Sequence, residues 1–178
     1  MANKRFTSIK NDFCITFDHQ TDIKECAEDR TIKQEGFSFT QLDMLSNVSP
    51  GTTIDVIGVL MEIGQVGNIN LKTGESKQKR EIKVADESNA MISVTLWGDV
   101  ATAQNFTPGD IFALRGCRVS DYAGRSLNAS SSPGDLIPNV KHPRAVAISQ
   151  WYSKSTASKL KSGVTNLTEG RDGGGERQ

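Results

Sequence analysis

Residues 90–132 constrain this chain more than any other stretch, because they hold two β-period runs that each carry an aromatic on the polar face. In AMISVTLW, Ile92, Val94 and Leu96 alternate with Met91, Ser93, Thr95 and Trp97. Strict alternation marks a half-buried strand, so the aliphatic set faces a core and Trp97 points away from it. In IFALRGCRVSDY, Phe112 and Leu114 set one phase while Cys117 and Val119 set the opposite one. A slip of phase at Gly116 predicts a bulge, where an extra residue bends the strand and re-aims the side chains beyond it. Past the slip, Arg118, Ser120 and Tyr122 share the face opposite Cys117 and Val119. A surface that combines Trp, Tyr and Arg suits a ligand with flat rings and a charged backbone.

The flanking elements can be read in chain order. Phe13, Ile15 and Phe17 alternate with Cys14 and Thr16, which predicts a short lead-in strand. FSFTQLDMLSN begins as a strand and turns helical, with Leu42 and Leu45 on one helical face and Ser49-Pro50-Gly51 as its stop. TTIDVIGVLMEIG is the longest apolar run and the expected first main strand, apolar on both faces, with Gly58 as a bend. QVGNINLKTGES is too polar for a core strand and reads as a long loop or hairpin tip. KQKREIKVADES is the second strand, with Ile82 and Val84 inward and Lys79, Glu81 and Lys83 outward. DVATAQNF gives a short helix after the third strand, and Thr107-Pro108-Gly109-Asp110 a turn into the fourth. RSLNAS is the fifth strand, and HPRAVAISQWYSK a closing helix whose Trp151 and Tyr152 pack on the core or on a neighbouring domain. Five strands, a helix between the third and fourth, and a C-terminal helix make the pattern of an all-β OB-fold barrel.

Composition limits the function. Lys and Arg number 21 against 21 Asp and Glu, so no global field gathers a polyanion and any such affinity is local. Cys14, Cys26 and Cys117 are odd in number, scattered and without a CxxC pair, which argues against a zinc site or a disulfide framework. No metal or other cofactor is expected. No apolar run approaches the roughly 20 residues of a membrane span, so no membrane partner is expected either. His19 and His142 are isolated, and no paired-carboxylate, nucleophile–base or zinc-deaminase pattern is present, which argues against an enzyme. Residues 1–10 read as an incoming linker, 11–152 as the folded domain, and the Ser-, Lys- and Gly-rich 153–178 as a flexible outgoing linker.

The strings VIGVLMEIG, QKREIKVADES, ISVTLWGD and RVSDYAGRSLNASSS together resemble the large subunit of eukaryotic replication protein A, specifically its second tandem DNA-binding OB domain. The resemblance covers residues 3–152. It implies sequence-tolerant binding of single-stranded DNA in replication, repair and recombination, in the nucleus. The implied partners are neighbouring OB domains and the other subunits of a heterotrimer. Two stacking aromatics fall by position on Trp97 and Tyr122, and basic or polar contacts on Lys79, Arg118 and Ser120. Lys72 in the polar loop and Arg125 after the hairpin extend the set; Arg125 faces a choice between a phosphate and Asp121. Where the family usually has Phe-Gly, this chain has Tyr122-Ala123, and Glu75 stands where the family can show an arginine. Two alternatives use the same fold: a telomere-directed paralogue that reads particular bases, and a protein-binding scaffold module.

Overall fold

The computed structural model describes residues 13–24, 37–70, 74–102, 106–122, 124–129, 132–155 and 163–168. Lys72, Ala123, Cys26, Ser130, Ser131, the linker expected at 1–10, and residues 156–162 and 169–178 of the linker expected at 153–178 lie outside them. The chain divides into two units, residues 1–36 and 37–178. In the first, Phe13, Ile15 and Phe17 are exposed and no strand forms among the described residues, contrary to the alternation read there. A strand exists through the hydrogen-bonded ladder of a partner strand, so an alternating pattern alone does not make one. The order the segment does show is local: Asp18 accepts from Gln20 N–H at 3.0 Å and from the Thr21 hydroxyl at 2.9 Å.

The second unit is built on β1 (Thr53–Ile63), β2 (Gly67–Asn70), β3 (Ser76–Ala85), β4 (Ala90–Trp97), β5 (Ile111–Ser120), β6 (Ser126–Asn128), β7 (Leu136–Pro138) and β8 (Thr165–Asn166). Five of these close a ring of pairings: β1 with β3, β3 with β4, β4 with β6, β6 with β5 and β5 with β1. This is the five-stranded OB-fold arrangement expected from the element order, with α1 (Asp99–Thr102) between the third and fourth ring strands. The polar 65–76 segment supplies the additional hairpin strand β2, paired antiparallel to β3.

β1 is central because it is apolar on both faces. Val56 and Leu60 enter the barrel interior with Ile82, Ile92, Val94, Leu96, Leu114 and Leu127. Ile57 and Val59 face outward into a second cluster closed by Ile148 of α2 (Pro143–Lys154), with Trp151 and Tyr152 packed beside it. Gly58 is required by proximity: a Cβ there would sit 2.9 Å from the Ala85 carbonyl oxygen and 3.3 Å from Val84 Cβ. Leu42 and Leu45 of the 3₁₀ turn Leu42–Asn47 plug the interior, fully buried.

α2 is held at its N-terminus by a polar latch. Arg144 reaches Asp86 at 3.0 Å and Glu87 at 2.9 Å in the β3–β4 turn. Asp86 is fully buried and also accepts from Leu42 N–H at 3.0 Å, from Ser88 N–H at 3.1 Å and from the Ser88 hydroxyl. Burial pushes the Asp86 carboxyl above its ordinary value against the pull of those donors. For Arg144 burial acts downward, but the bond and charge of Glu87, with Asp86, outweigh it and leave the guanidinium more firmly protonated.

Residues 163–168 fall inside the stretch expected to be a flexible outgoing linker, yet β8 pairs parallel to β4 and Leu167 packs on the barrel core. Leu167 N–H donates to the Met91 carbonyl at 2.9 Å, and Thr165 N–H to that of Asn89 at 2.8 Å. Two residues of strand carry no readable period, and an available strand edge captured them.

Candidate nucleic-acid interface

The phase slip at Gly116 is a bulge. Between the pairs Ile54↔Cys117 and Val56↔Leu114, β5 carries one residue more than β1. Gly116 takes φ +65°, a left-handed value that disfavours any residue with a Cβ, and its N–H donates to Asp55 Oδ1 at 2.9 Å. Cys117 and Val119 therefore enter the core while Arg118 and Ser120 turn outward. Burial pushes the Cys117 thiol up to about 12, with Asp55 and Asp135 adding to the shift.

Register then assembles one continuous outer face from strands distant in sequence. Lys79 of β3 is directly opposite Trp97 of β4. Thr95 is opposite Asn128 of β6, and Asn128 is opposite Arg118 of β5. Trp97 Nε1–H donates to Asn128 Oδ1 at 3.2 Å, which fixes the plane of the indole. The ring is half-buried and belongs to neither apolar cluster. Lys77 Nζ lies 5.7 Å from its centroid, its residue two positions before Lys79 on β3 and so diagonal to Trp97. Arg118 is exposed, and its guanidinium passes beside Gly51.

Tyr122 stands at the tip of the β5–β6 hairpin, 89% exposed, with its N–H donating to the Ser120 hydroxyl at 3.2 Å. A large aromatic so exposed has no packing role in the folded unit. The hairpin beneath it is rigidly tied. Arg125 pairs with Asp121 at 3.1 Å and donates to the carbonyls of Val48 at 2.8 Å and Ser46 at 3.0 Å. Its side chain is only 12% exposed. Of the two uses expected for Arg125, the structure takes Asp121 and enlarges it into a clamp, so Arg125 leaves the set of cations presented to a ligand. Thr168 braces the same hairpin from below: its hydroxyl donates to the Arg125 carbonyl at 2.7 Å and accepts from Ser93 N–H at 3.0 Å.

Of the residues singled out from sequence, Trp97, Lys79, Arg118 and Ser120 share the face, and Tyr122 projects from its edge. Asn128 and Lys77 were not among them. The alternation Ser126–Leu127–Asn128 already places Asn128 outward; Lys77 reaches the indole only because the register sets it diagonal to Trp97.

A closed five-strand ring of this order, with aromatic and basic side chains over its middle strands, defines an OB-fold domain. Comparison narrows this: a family model described as the replication protein A OB domain matches residues 42–137, and the chain belongs to that family. It is 31% identical over 175 residues to the replication protein A 70 kDa DNA-binding subunit of Xenopus laevis, covering 98% of this chain and 28% of that protein. Replication factor A protein 1 of Saccharomyces cerevisiae is 32% identical over 151 residues, 85% of this chain and 24% of that protein. A solved replication protein A heterotrimer bound to single-stranded DNA matches 97% of this chain and 40% of its own, at 28% identity and a TM-score of 0.73. The chain thus spans about a quarter of the length of these curated relatives.

Proposed function

We propose that this chain is a single-stranded DNA-binding OB module of a replication protein A large subunit, corresponding to the second of its tandem domains. In this reading Trp97 and Tyr122 each stack on a base. Lys79, Arg118 and Lys77 neutralise phosphates, and Ser120 and Asn128 offer hydrogen bonds to the sugar–phosphate chain or base edges. Stacking on aromatics tolerates any base, because every base has a π face. The module acts by binding rather than catalysis, in the nucleus, in DNA replication, repair and recombination. Its partners are single-stranded DNA, neighbouring OB domains and the other subunits of a heterotrimer. Linkage to those domains multiplies affinity through effective concentration, so one module binds weakly alone.

One observation carries the reading: Lys79 faces Trp97 across β3 and β4, the Trp97 indole donates to Asn128, and Asn128 faces Arg118 across β6 and β5, with Tyr122 projecting beside them. Fluorescence-anisotropy titration with mixed-sequence, telomeric and duplex oligonucleotides tests it. Mixed and telomeric single strands should bind within a small factor of each other, and duplex far more weakly. Strong preference for the telomeric strand would support a base-reading paralogue, and binding of none would support a protein scaffold.

A further inference from the structure

On the side away from β3, β4 takes two short parallel partners in succession. Ala90 and Met91 pair with Thr165 and Asn166 of β8, and Ser93 opens the ladder with Ser126 of β6. Thr168 fills the junction between the two ladders with a side chain. Its hydroxyl accepts from Ser93 N–H at 3.0 Å and donates to the Arg125 carbonyl at 2.7 Å, so one oxygen joins β4 to the residue just before β6. A hydroxyl suits this place because it is donor and acceptor at once.

Thr168 is itself held in position. Its N–H donates to Asn166 Oδ1 at 3.1 Å, closing a local turn. Leu167 is anchored on the barrel core, with its N–H on the Met91 carbonyl at 2.9 Å. The main chain lies flush against the hairpin: Gly124 has φ +99°, and a Cβ there would collide with the Thr168 carbonyl oxygen. Only glycine lets the two backbones come so close.

What these contacts fix is Arg125. Its guanidinium is already tied to Asp121, Val48 and Ser46. With its carbonyl on Thr168, Arg125 is held by side chain and main chain together, three residues beyond Tyr122. Tyr122 is 89% exposed, too exposed for packing to hold its ring, so its position is inherited from the base of the hairpin. A tip on a loose base samples many positions that must be given up when a ligand stacks there, and that ordering cost is subtracted from affinity.

Resting on the reading of Tyr122 as a stacking residue, we propose that Thr168 is a positioning residue for single-strand binding. It touches no nucleotide; by bridging Ser93 and Arg125 it presets the Tyr122 hairpin, and the segment that follows the barrel thereby tunes the affinity of the binding face.

The test is a set of paired substitutions in the whole chain, titrated by anisotropy against a mixed-sequence single strand, with thermal melts of every variant. Thr168→Val removes the hydroxyl while keeping the outline of the side chain. It should weaken binding about 2- to 10-fold, the scale of ordering one side chain on association, with an unchanged salt slope because no cation is moved. Thr168→Ser keeps the hydroxyl and should bind as the parent does. Thr168→Val should cost the same factor when combined with Trp97→Ala, and nothing when combined with Tyr122→Ala, since no ring is left to position. Asn166→Ala frees Thr168 from its turn and should show the same order in milder form; it is read by the same rule if Thr168→Val does not fold. Parental affinity in folded Thr168→Val, an equal loss in the Tyr122→Ala background, or a Thr168→Ser protein as weak as Thr168→Val overturns the positioning role. If Tyr122→Ala still weakens binding in that event, the stacking reading stands without it. If Tyr122→Ala binds as the parent does, both fall together.

Discussion

Trp97 and Tyr122 separate stacking from packing because their environments in the folded unit differ so widely. Tyr122 is 89% exposed and its neighbourhood is held by its own backbone, so Tyr122→Ala should change stability by no more than about 0.5 kcal/mol. Trp97 is half-buried and donates one hydrogen bond to Asn128. Truncating it forfeits that bond, about 1 kcal/mol, and a contact with Lys77 worth about 0.5–1 kcal/mol. Asn128 is itself only half-buried, so its freed amide meets solvent and no buried orphan is left. Trp97→Ala should therefore lower the melting temperature by a few degrees, far less than removal of a core residue. Each truncation should cost about 1–3 kcal/mol of single-strand affinity, roughly a 5- to 150-fold weaker Kd, and leave the salt dependence of binding unchanged. Tyr122→Phe should bind nearly as the parent does, because the ring does the stacking. Anisotropy titrations over a salt series, with thermal melts of each variant, measure all of this. A Tyr122→Ala protein with full affinity, or a Trp97→Ala protein that melts far lower while its folded fraction binds normally, would refute the stacking assignment.

The two arginines of the hairpin region should part cleanly. Arg118→Ala should lower affinity and reduce the salt slope by about 0.7 at little cost in stability, whereas Arg125→Ala should keep the slope and cost about 2–4 kcal/mol of stability as the clamp on Asp121, Val48 and Ser46 opens. Arg144→Met should destabilise by about 3 kcal/mol, since it strands the fully buried Asp86 carboxylate. A buried carboxyl whose folded pKa lies above its ordinary 3.8 weakens the fold when ionised, and that penalty is relieved as pH falls through the folded value. Denaturant titrations of Arg144→Met should accordingly show a smaller deficit in mild acid than at neutral pH. Cys117, fully buried with its thiol pushed up to about 12, should resist alkylation in the native protein and react only on unfolding, while exposed Cys14 labels at once; peptide mapping by mass spectrometry distinguishes them.

The order of side chains by itself determined the ring strands, the barrel interior and much of the candidate face. Alternation is a local property: once Ile92, Val94 and Leu96 are inward, Trp97 has no other side to take. The change of phase around Gly116 made the bulge legible, and the two-faced apolarity of β1 announced that something would cover its outer side. Other features depended on which distant group arrived first. Arg125 finds its carbonyl acceptors 77 and 79 residues away, and no local pattern ranks them above a phosphate. Lys77 and Asn128 join Trp97 through the β3–β4 and β4–β6 registers, which close only when the ring does. The same dependence made Phe13–Phe17 a pattern without a strand and Thr165–Asn166 a strand without a pattern, because a β-strand exists through its partner's hydrogen bonds. Sequence decides which way a side chain faces along a strand; only the folded ladder decides what it meets there.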